Sequence, residues 1–102
     1  MKHEKLKEKL AKEIDLASWA DLVSHHQRGS VFRVDESLEL IHVGIALAND
    51  DKKLVKKWLT GNLLMKTDDK QSAQWQEENR FFKFLIISPF VIIQPATSKE
   101  VN

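Results

Sequence analysis

The sequence predicts one α+β domain, in which a four-stranded, mainly antiparallel sheet packs with three to four short helices in the order ααββαβαβ. Residues 38–48 and 81–93 are nearly continuous in apolar residues, which is typical of strands covered on both faces. The segments around them place apolar residues at helical spacing among charged ones. A length of 102 residues allows one hydrophobic core, which we expect to span residues 1–94, with 95–102 as a disordered tail.

Two helices are predicted ahead of the first strand. In the first, Leu6, Leu10 and Ile14 recur every fourth residue among Lys and Glu, which makes a narrow apolar stripe. We expect this stripe to dock on the sheet or on another chain. The second helix is expected to begin at Ser18, a residue type that caps helices, and to end at Gly29 in a left-handed conformation.

The first two strands are predicted to form an antiparallel hairpin. Residues 31–34 are a short β-branched and aromatic run, 35–37 are turn-forming or polar, and 38–48 are a long second strand. Gly44 in that second strand indicates that another element approaches its backbone closely.

Residues 49–51 are expected to cap a helix that ends at Gly61. At about 100° per residue the helix has two sides. Its apolar side carries Leu54, Val55, Trp58 and Leu59, and its basic side carries Lys52, Lys53, Lys56 and Lys57. The alternative that the basic side binds nucleic acid weakly stays open, although a net charge of +1 and a core position for Trp58 favour a solvated face.

The rest of the chain supplies two strands and one helix. Residues 63–66 are a short strand, and 67–69 cap a helix that carries Trp75. Residues 81–93 form a long apolar strand hinged at Ser88–Pro89, because proline cannot donate to a ladder. We expect this strand and 38–48 to be neighbours in the centre of the sheet, with a second copy of the chain covering the face that the helices leave open.

Several function classes are excluded by composition. The chain has no cysteine, which excludes disulfides, a thiol nucleophile and thiolate zinc sites, and is consistent with a reducing cytoplasm. Its three glycines are too far apart for a phosphate-binding loop. We therefore expect no cofactor and no small-molecule ligand. No signal peptide or membrane-spanning segment is predicted, so the expected location is the cytoplasm.

Acidic residues suggest an alternative, a divalent-metal-dependent enzyme built on Asp35, Asp50 and Asp51. The pairs at 50–51 and 68–69 both open predicted helices, however, where capping and the helix dipole already account for them.

The histidines are interpreted structurally. His25 and His26 are adjacent and point about 100° apart on a helix, so they cannot share a metal. We interpret one as solvated and the other as lying at the edge of the core. His42 lies in the predicted second strand, where a hydrogen-bonded structural role is expected. The sequence thus predicts no catalytic residue, and an enzyme is the less favoured class.

An interaction or assembly module is the function that the sequence favours. The apolar surplus of residues 81–93 and the narrow stripe of the first helix indicate surfaces for a partner. The candidate partner-binding residues are Phe81, Phe84, Phe90, Lys52, Lys53, Lys56 and Lys57. The expected partner is a second copy of the chain, forming a homodimer, or another protein.

A series of short motifs also resembles a known family. They are Asp35, L-E-L-I-H-V, A-N-D-D, V-K-K-W-L with Gly61, Thr67-Asp68, Trp75 and S-P-F-V-I-I-Q. In this order they resemble the short bacterial proteins catalogued as domain of unknown function 2288. The resemblance implies a small cytoplasmic bacterial protein with no assigned activity and gives no catalytic or cofactor residue. The chain has His42 where that family usually has an acidic residue and Phe90 where it usually has tryptophan.

Overall fold

The computed structural model describes residues 2–97, and this part of the chain forms five helices and five strands. In chain order they are α1 (Lys2–Glu13), β1 (Asp15–Ser18), α2 (Trp19–Gln27), β2 (Val31–Val34), α3 (Leu40–Ala48), α4 (Lys52–Thr60), β3 (Leu64–Lys66), α5 (Asp69–Glu78), β4 (Phe81–Ile87) and β5 (Phe90–Pro95). The predicted α+β class is confirmed.

The strands form one sheet in the order β1-β4-β5-β2-β3. Strands β2 and β5 are parallel, with Val31 opposite Val91, and the other neighbouring pairs are antiparallel. The sheet is therefore five-stranded and mixed, and the predictions of four strands, of three to four helices and of the order ααββαβαβ were wrong. Residues 81–93, predicted as one strand, form two, and β1 was missed. Strand β1 is an edge strand of four residues whose Leu16 pairs with Lys83. A segment this short between two helices carries too few residues to show strand alternation.

The prediction of a long strand over residues 38–48 was also wrong. These residues form helix α3 after Glu39, which occupies the N-cap position. A nearly continuous apolar run suits a buried helix as well as a buried strand, because periodicity cannot separate the two. The close approach predicted at Gly44 is real, since a Cβ there would lie 2.5 Å from Cδ2 of the fully buried Leu85 on β4.

Since α3 replaces the predicted strand, no hairpin follows β2. The side-chain amide of Gln94 instead fixes the connection to α3, donating to the carbonyl oxygens of Asp35 at 3.0 Å and Leu38 at 2.7 Å. Gln94 itself is buried in β5. The chain is thereby held as it turns from the sheet into the helix.

The hinge predicted at Ser88–Pro89 is a hairpin turn. Ile87 pairs directly with Phe90, so Ser88 and Pro89 form the two-residue connection between β4 and β5. The peptide bond between Ser88 and Pro89 is cis. The long apolar segment thus folds back on itself as two adjacent strands. Strand β5 continues to Pro95, and the Ala96 N–H donates to the Phe81 carbonyl, beyond the predicted domain limit at 94. The rest of the predicted tail, residues 98–102, lies outside the described residues.

Helices cover both faces of the sheet, so the prediction that the helices leave one face open was wrong; pairing with a second copy stays a prediction. Helices α1, α3 and α4 pack on one face around Leu10, Val34, Leu40, Ile41, Val43, Ala46, Trp58, Leu64, Leu85 and Ile92. Helices α2 and α5 pack on the other around Trp19, Leu22, Val31, Trp75, Phe82, Val91 and Ile93. Five short helices suffice because the strands are also short.

Capping residues mark the helix ends largely as predicted. Asp51 accepts the N–H of Leu54 at the start of α4, and Asp68 forms a capping box with Gln71 at the start of α5. Ser18 precedes α2 without a side-chain cap bond, and Gly29 after α2 has a φ of 75°. Among residues 2–97, no helix has the length and apolar character to cross a membrane.

Candidate partner-binding cleft

An apolar cleft opens on the sheet face that carries α1, α3 and α4. Its volume is about 130 Å³. Strands β2, β3 and β5 and helices α3 and α4 supply its lining, which consists of Phe32, Leu47, Val55, Leu59, Leu64, Phe90 and Ile92. All seven side chains are hydrocarbon, so the cleft has no polar group to orient a substrate and suits an apolar side chain of a partner.

Two phenylalanines form one wall of the cleft. Phe90 begins β5 directly after the hairpin turn, and Phe32 lies on the neighbouring parallel strand β2. Their rings are 5.7 Å apart at an angle of 85°, which is a favourable edge-to-face arrangement. Phe90 nevertheless remains 37% exposed. The sheet thus holds an aromatic ring in place while leaving part of it open to solvent.

Helix α4 forms the opposite wall. Val55 and Leu59 are four residues apart and therefore lie on one flank of the helix. Trp58 on the neighbouring flank is buried, as predicted, whereas Leu59 is 43% exposed. The core therefore covers only part of the apolar arc of α4 and leaves Leu59 partly in solvent.

Charged residues of both signs border the cleft. Asp50, Asp51 and Lys52 line an adjoining depression of about 180 Å³, which shares Leu47, Val55 and Phe90 with the apolar cleft. The carboxylate of Asp51 caps α4, and Lys52 Nζ lies 3.9 Å from Asp50 Oδ2. An apolar centre with a charged, solvated rim is the usual anatomy of a protein–protein interface.

The predicted partner-binding residues are only partly brought together. Phe90 lines the cleft and Lys52 borders it, while Lys53, Lys56 and Lys57 are exposed elsewhere on α4. Phe84 packs against the α2/α5 cluster on the other face. Phe81 begins β4 opposite Ser18, outside the cleft. The nucleic-acid alternative for the lysines stays a prediction, and the burial of Trp58 removes the only aromatic residue within α4 as a base-stacking surface.

Sequence reasoning missed most of the lining residues, which are Phe32, Leu47, Val55, Leu59, Leu64 and Ile92. One signal was present in α4. Four of its nine residues, at positions 54, 55, 58 and 59, are apolar, and the arc they form is wider than the core alone can cover. The contributions of β2, β3 and β5 depended on the strand order, which no local pattern gives.

The aspartates proposed as metal ligands have separate structural roles. Asp35 accepts hydrogen bonds from the Ser37 hydroxyl at 2.7 Å and the Ser37 N–H at 3.0 Å. These two bonds, in that order, with a smaller contribution from the positive charge of Arg33, lower the pKa of Asp35 below its ordinary value of 3.8. Within residues 2–97, no three acidic or histidine side chains lie close enough to hold a metal ion. The metal-enzyme alternative therefore has no site among these residues.

His26 connects α2 to the start of α5. Its Nδ1 lies 2.8 Å from Thr67 Oγ1, and its Nε2 lies 2.8 Å from Asp69 Oδ1. A hydroxyl, an imidazole and a carboxylate in series resemble a hydrolase triad. Thr67 and His26 are both buried, however, and the Thr67 hydroxyl also contacts the Val31 carbonyl at 3.3 Å, so this series serves as a structural link.

His42 does not lie in a strand. It occupies the exposed side of α3, with Nε2 3.9 Å from Glu39 Oε2, so the predicted hydrogen-bonded role in a strand was wrong.

Comparisons with known proteins agree with this fold. The NMR solution structure of PA1075 from Pseudomonas aeruginosa superposes with a TM-score of 0.79, is 34% identical, and is matched over 93% of this chain and 88% of that one. No curated protein sequence matches the chain significantly. The family model described as protein of unknown function (DUF2288) matches residues 5–95. The chain therefore belongs to this uncharacterised family, as the motif resemblance indicates.

Proposed function

We propose that the protein is an interaction module that pairs with a second copy of itself through the apolar cleft. The observation that carries this proposal is the cleft itself, a hydrocarbon-lined depression whose walls include the exposed Leu59 and Phe90. Exposed apolar clefts bordered by charge are characteristic of surfaces that bind protein.

The flank of α4 beside the cleft supports a second copy as the occupant. A twofold interface must be self-complementary, because the same surface occurs on both sides. Val55 and Leu59 lie about one helical turn apart on the flank of α4 beside the cleft, while Lys56 belongs to its basic side. Two α4 helices packed antiparallel about this pair place Val55 of each opposite Leu59 of the other. The apolar flank of α4 in each copy is then covered by the other copy.

The test is the molar mass by light scattering over a wide concentration range, at low and high salt. The wild-type chain is expected to approach twice its 11.8 kDa mass at high concentration. Salt should change this little, since exposed ion pairs contribute about 0–1 kcal/mol each and the apolar contact supplies most of the free energy.

Leu59→Lys is the test variant, and Met65→Lys is its matched control. Leu59 is 43% exposed and Met65 is 45% exposed, so each change places the same charge at an equally open site. Leu59→Lys should shift the chain to monomer, and Met65→Lys should leave the dimer intact. A wild-type chain that stays monomeric at the highest concentration, or variants that weaken the dimer equally, would overturn the proposal.

A further inference from the structure

A second cleft lies on the opposite face of the sheet, beside α5. Its volume is about 200 Å³, and its lining residues are Arg33, Gln71, Gln74, Trp75, Arg80 and Pro95. Strands β2 and β5, helix α5 and the residue before β4 bring them together. This cleft differs from the apolar one in kind, because two guanidinium groups and two amides line it.

The guanidinium of Arg33 is incompletely paired within the protein. Its Nε atom is buried and has no hydrogen-bond partner among residues 2–97. Buried nitrogen donors nearly always have a partner, so each exception calls for an explanation. Arg33 follows Val31 by two residues in β2 and therefore shares its face, the one that carries α2 and α5. A charged donor group is thus held at the wall of the cleft.

Arg80 and Gln71 add donors to the same cleft. Arg80 Nη1 lies 3.5 Å from Glu78 Oε1, and both side chains are 43% exposed, so this ion pair is weak and solvated. Gln71 accepts the Asp68 N–H through Oε1, which leaves its amide nitrogen to donate elsewhere. Gln74 donates to Glu78 Oε2 at 3.1 Å. Glu78 thus offsets part of the charge at one end of the cleft.

Two arginines facing one cleft are suited to a negatively charged ligand. A guanidinium binds carboxylate or phosphate through two parallel hydrogen bonds, which a point charge such as lysine cannot reproduce. The volume of the cleft, about 200 Å³, equals that of roughly seven waters at about 30 Å³ each. It therefore has room for an anionic group together with a small carbon skeleton beside Trp75 and Pro95.

We propose that this cleft binds the oxyanion group of a small molecule, a phosphate or a carboxylate, through Arg33 and Arg80. The site is independent of the self-association proposed above, since it lies on the other face of the sheet.

The test uses the three arginines of the chain as internal probes. Nitrogen-15 spectra that record the Nε–H groups of Arg28, Arg33 and Arg80 are collected while inorganic phosphate, and separately acetate, is added at constant ionic strength with sodium chloride. Arg33 and Arg80 are expected to shift saturably with at least one of the two anions, and the anion with the lower Kd assigns the ligand group. The exposed Arg28 should not shift.

Variants separate binding from general charge effects. Arg33→Lys and Arg80→Lys keep the charge but lose the two-pronged donor, so each should weaken binding by roughly tenfold or more, given the strength of charged hydrogen bonds. Arg28→Lys should bind as wild type does. Arg80 is partly exposed, so its variant keeps the fold even if Arg33→Lys does not. The proposal is overturned if the shifts are equal at all three arginines, if sodium chloride alone produces them, or if Arg80→Lys binds unchanged.

Discussion

The two faces of the sheet are closed in different ways. On the α2/α5 face, Trp19, Trp75 and Phe82 pack edge to face, with ring centroids 4.8 to 5.8 Å apart. Trp19 is fully buried, and its indole N–H donates to the Ser72 hydroxyl at 2.9 Å. Large rings packed edge to face, one of them also held by a hydrogen bond, thus allow two short helices to close the centre of this face.

The α1/α3/α4 face is mainly aliphatic and has three helices, yet it is the face with the apolar cleft. Gly44 lets α3 approach Leu85 closely, while Leu59 and Phe90 at the edge stay partly exposed. The number of helices therefore does not decide how completely a face is covered. How completely a face is covered depends on which side chains meet there and on the position of α4. The apolar cleft is the part left uncovered, and we propose that a second copy of the chain binds there.

Among substitutions on the two faces of the sheet, the largest loss of stability is expected at Trp19. Trp19→Ala should lower the free energy of unfolding by about 3–5 kcal/mol, because it removes a fully buried ring and leaves a cavity. Phe90→Ala on the other face should cost less than about 1.5 kcal/mol in the monomer, because its ring is already partly in water. Urea denaturation at low protein concentration measures both values. Equal costs would mean that the two faces are closed alike.

The next effect concerns the link between α2 and α5. Thr67→Val should destabilise the protein by about 1–3 kcal/mol, because it leaves the buried Nδ1 of His26 without its hydroxyl partner. Thr60→Val makes the same chemical change at an exposed site in α4 and should stay within about 0.5 kcal/mol of wild type. Thermal and urea denaturation of both variants give the comparison. A Thr67 variant as stable as the Thr60 variant would show that the link is not stabilising.

The smallest effect is at the exposed Asp35, on the connection from β2 to α3. Its pKa is lowered mainly by the Ser37 hydroxyl, so the folded state favours the ionised carboxylate. The resulting stabilisation is complete above the ordinary pKa of 3.8 and is lost as the pH falls through the lower folded value.

Ser37→Ala should therefore raise the pKa of Asp35 toward its ordinary value, and the Ser37 N–H should preserve part of the lowering. Carboxyl carbon-13 titration by NMR measures the midpoint, and the exposed Ser24→Ala serves as the control. An unchanged midpoint in Ser37→Ala would assign the lowered pKa to the backbone bond and Arg33.

Local sequence signals predicted the elements that local chemistry determines. Asp51 and Asp68 mark the starts of α4 and α5, and Gly29 marks the end of α2. The α3 segment could not be assigned, because a nearly continuous apolar run has no period that distinguishes helix from strand. That error added a strand and a hairpin that the fold does not have. The sheet was still predicted a strand short, because residues 15–18 were passed over and 81–93 were treated as one strand instead of two.

The cleft was beyond sequence reasoning for a different reason. Phe32 and Phe90 are far apart in the sequence and meet only because β2 lies parallel to β5. Phe81 and Phe84 belong to the same apolar segment of the sequence as Phe90 but lie outside the cleft. Apolar content therefore indicated that a surface was present, and only strand order showed where.

The most direct test of the central claim is a dilution series of amide NMR spectra of the wild-type chain. If the apolar cleft is the self-association surface, the resonances of Val55, Leu59 and Phe90 should shift with protein concentration, and those of Met65 and Ile86 should not. Met65 and Ile86 are exposed apolar residues outside the cleft, so they report nonspecific association. Concentration-independent spectra, or shifts equally large at all five residues, would contradict the assignment.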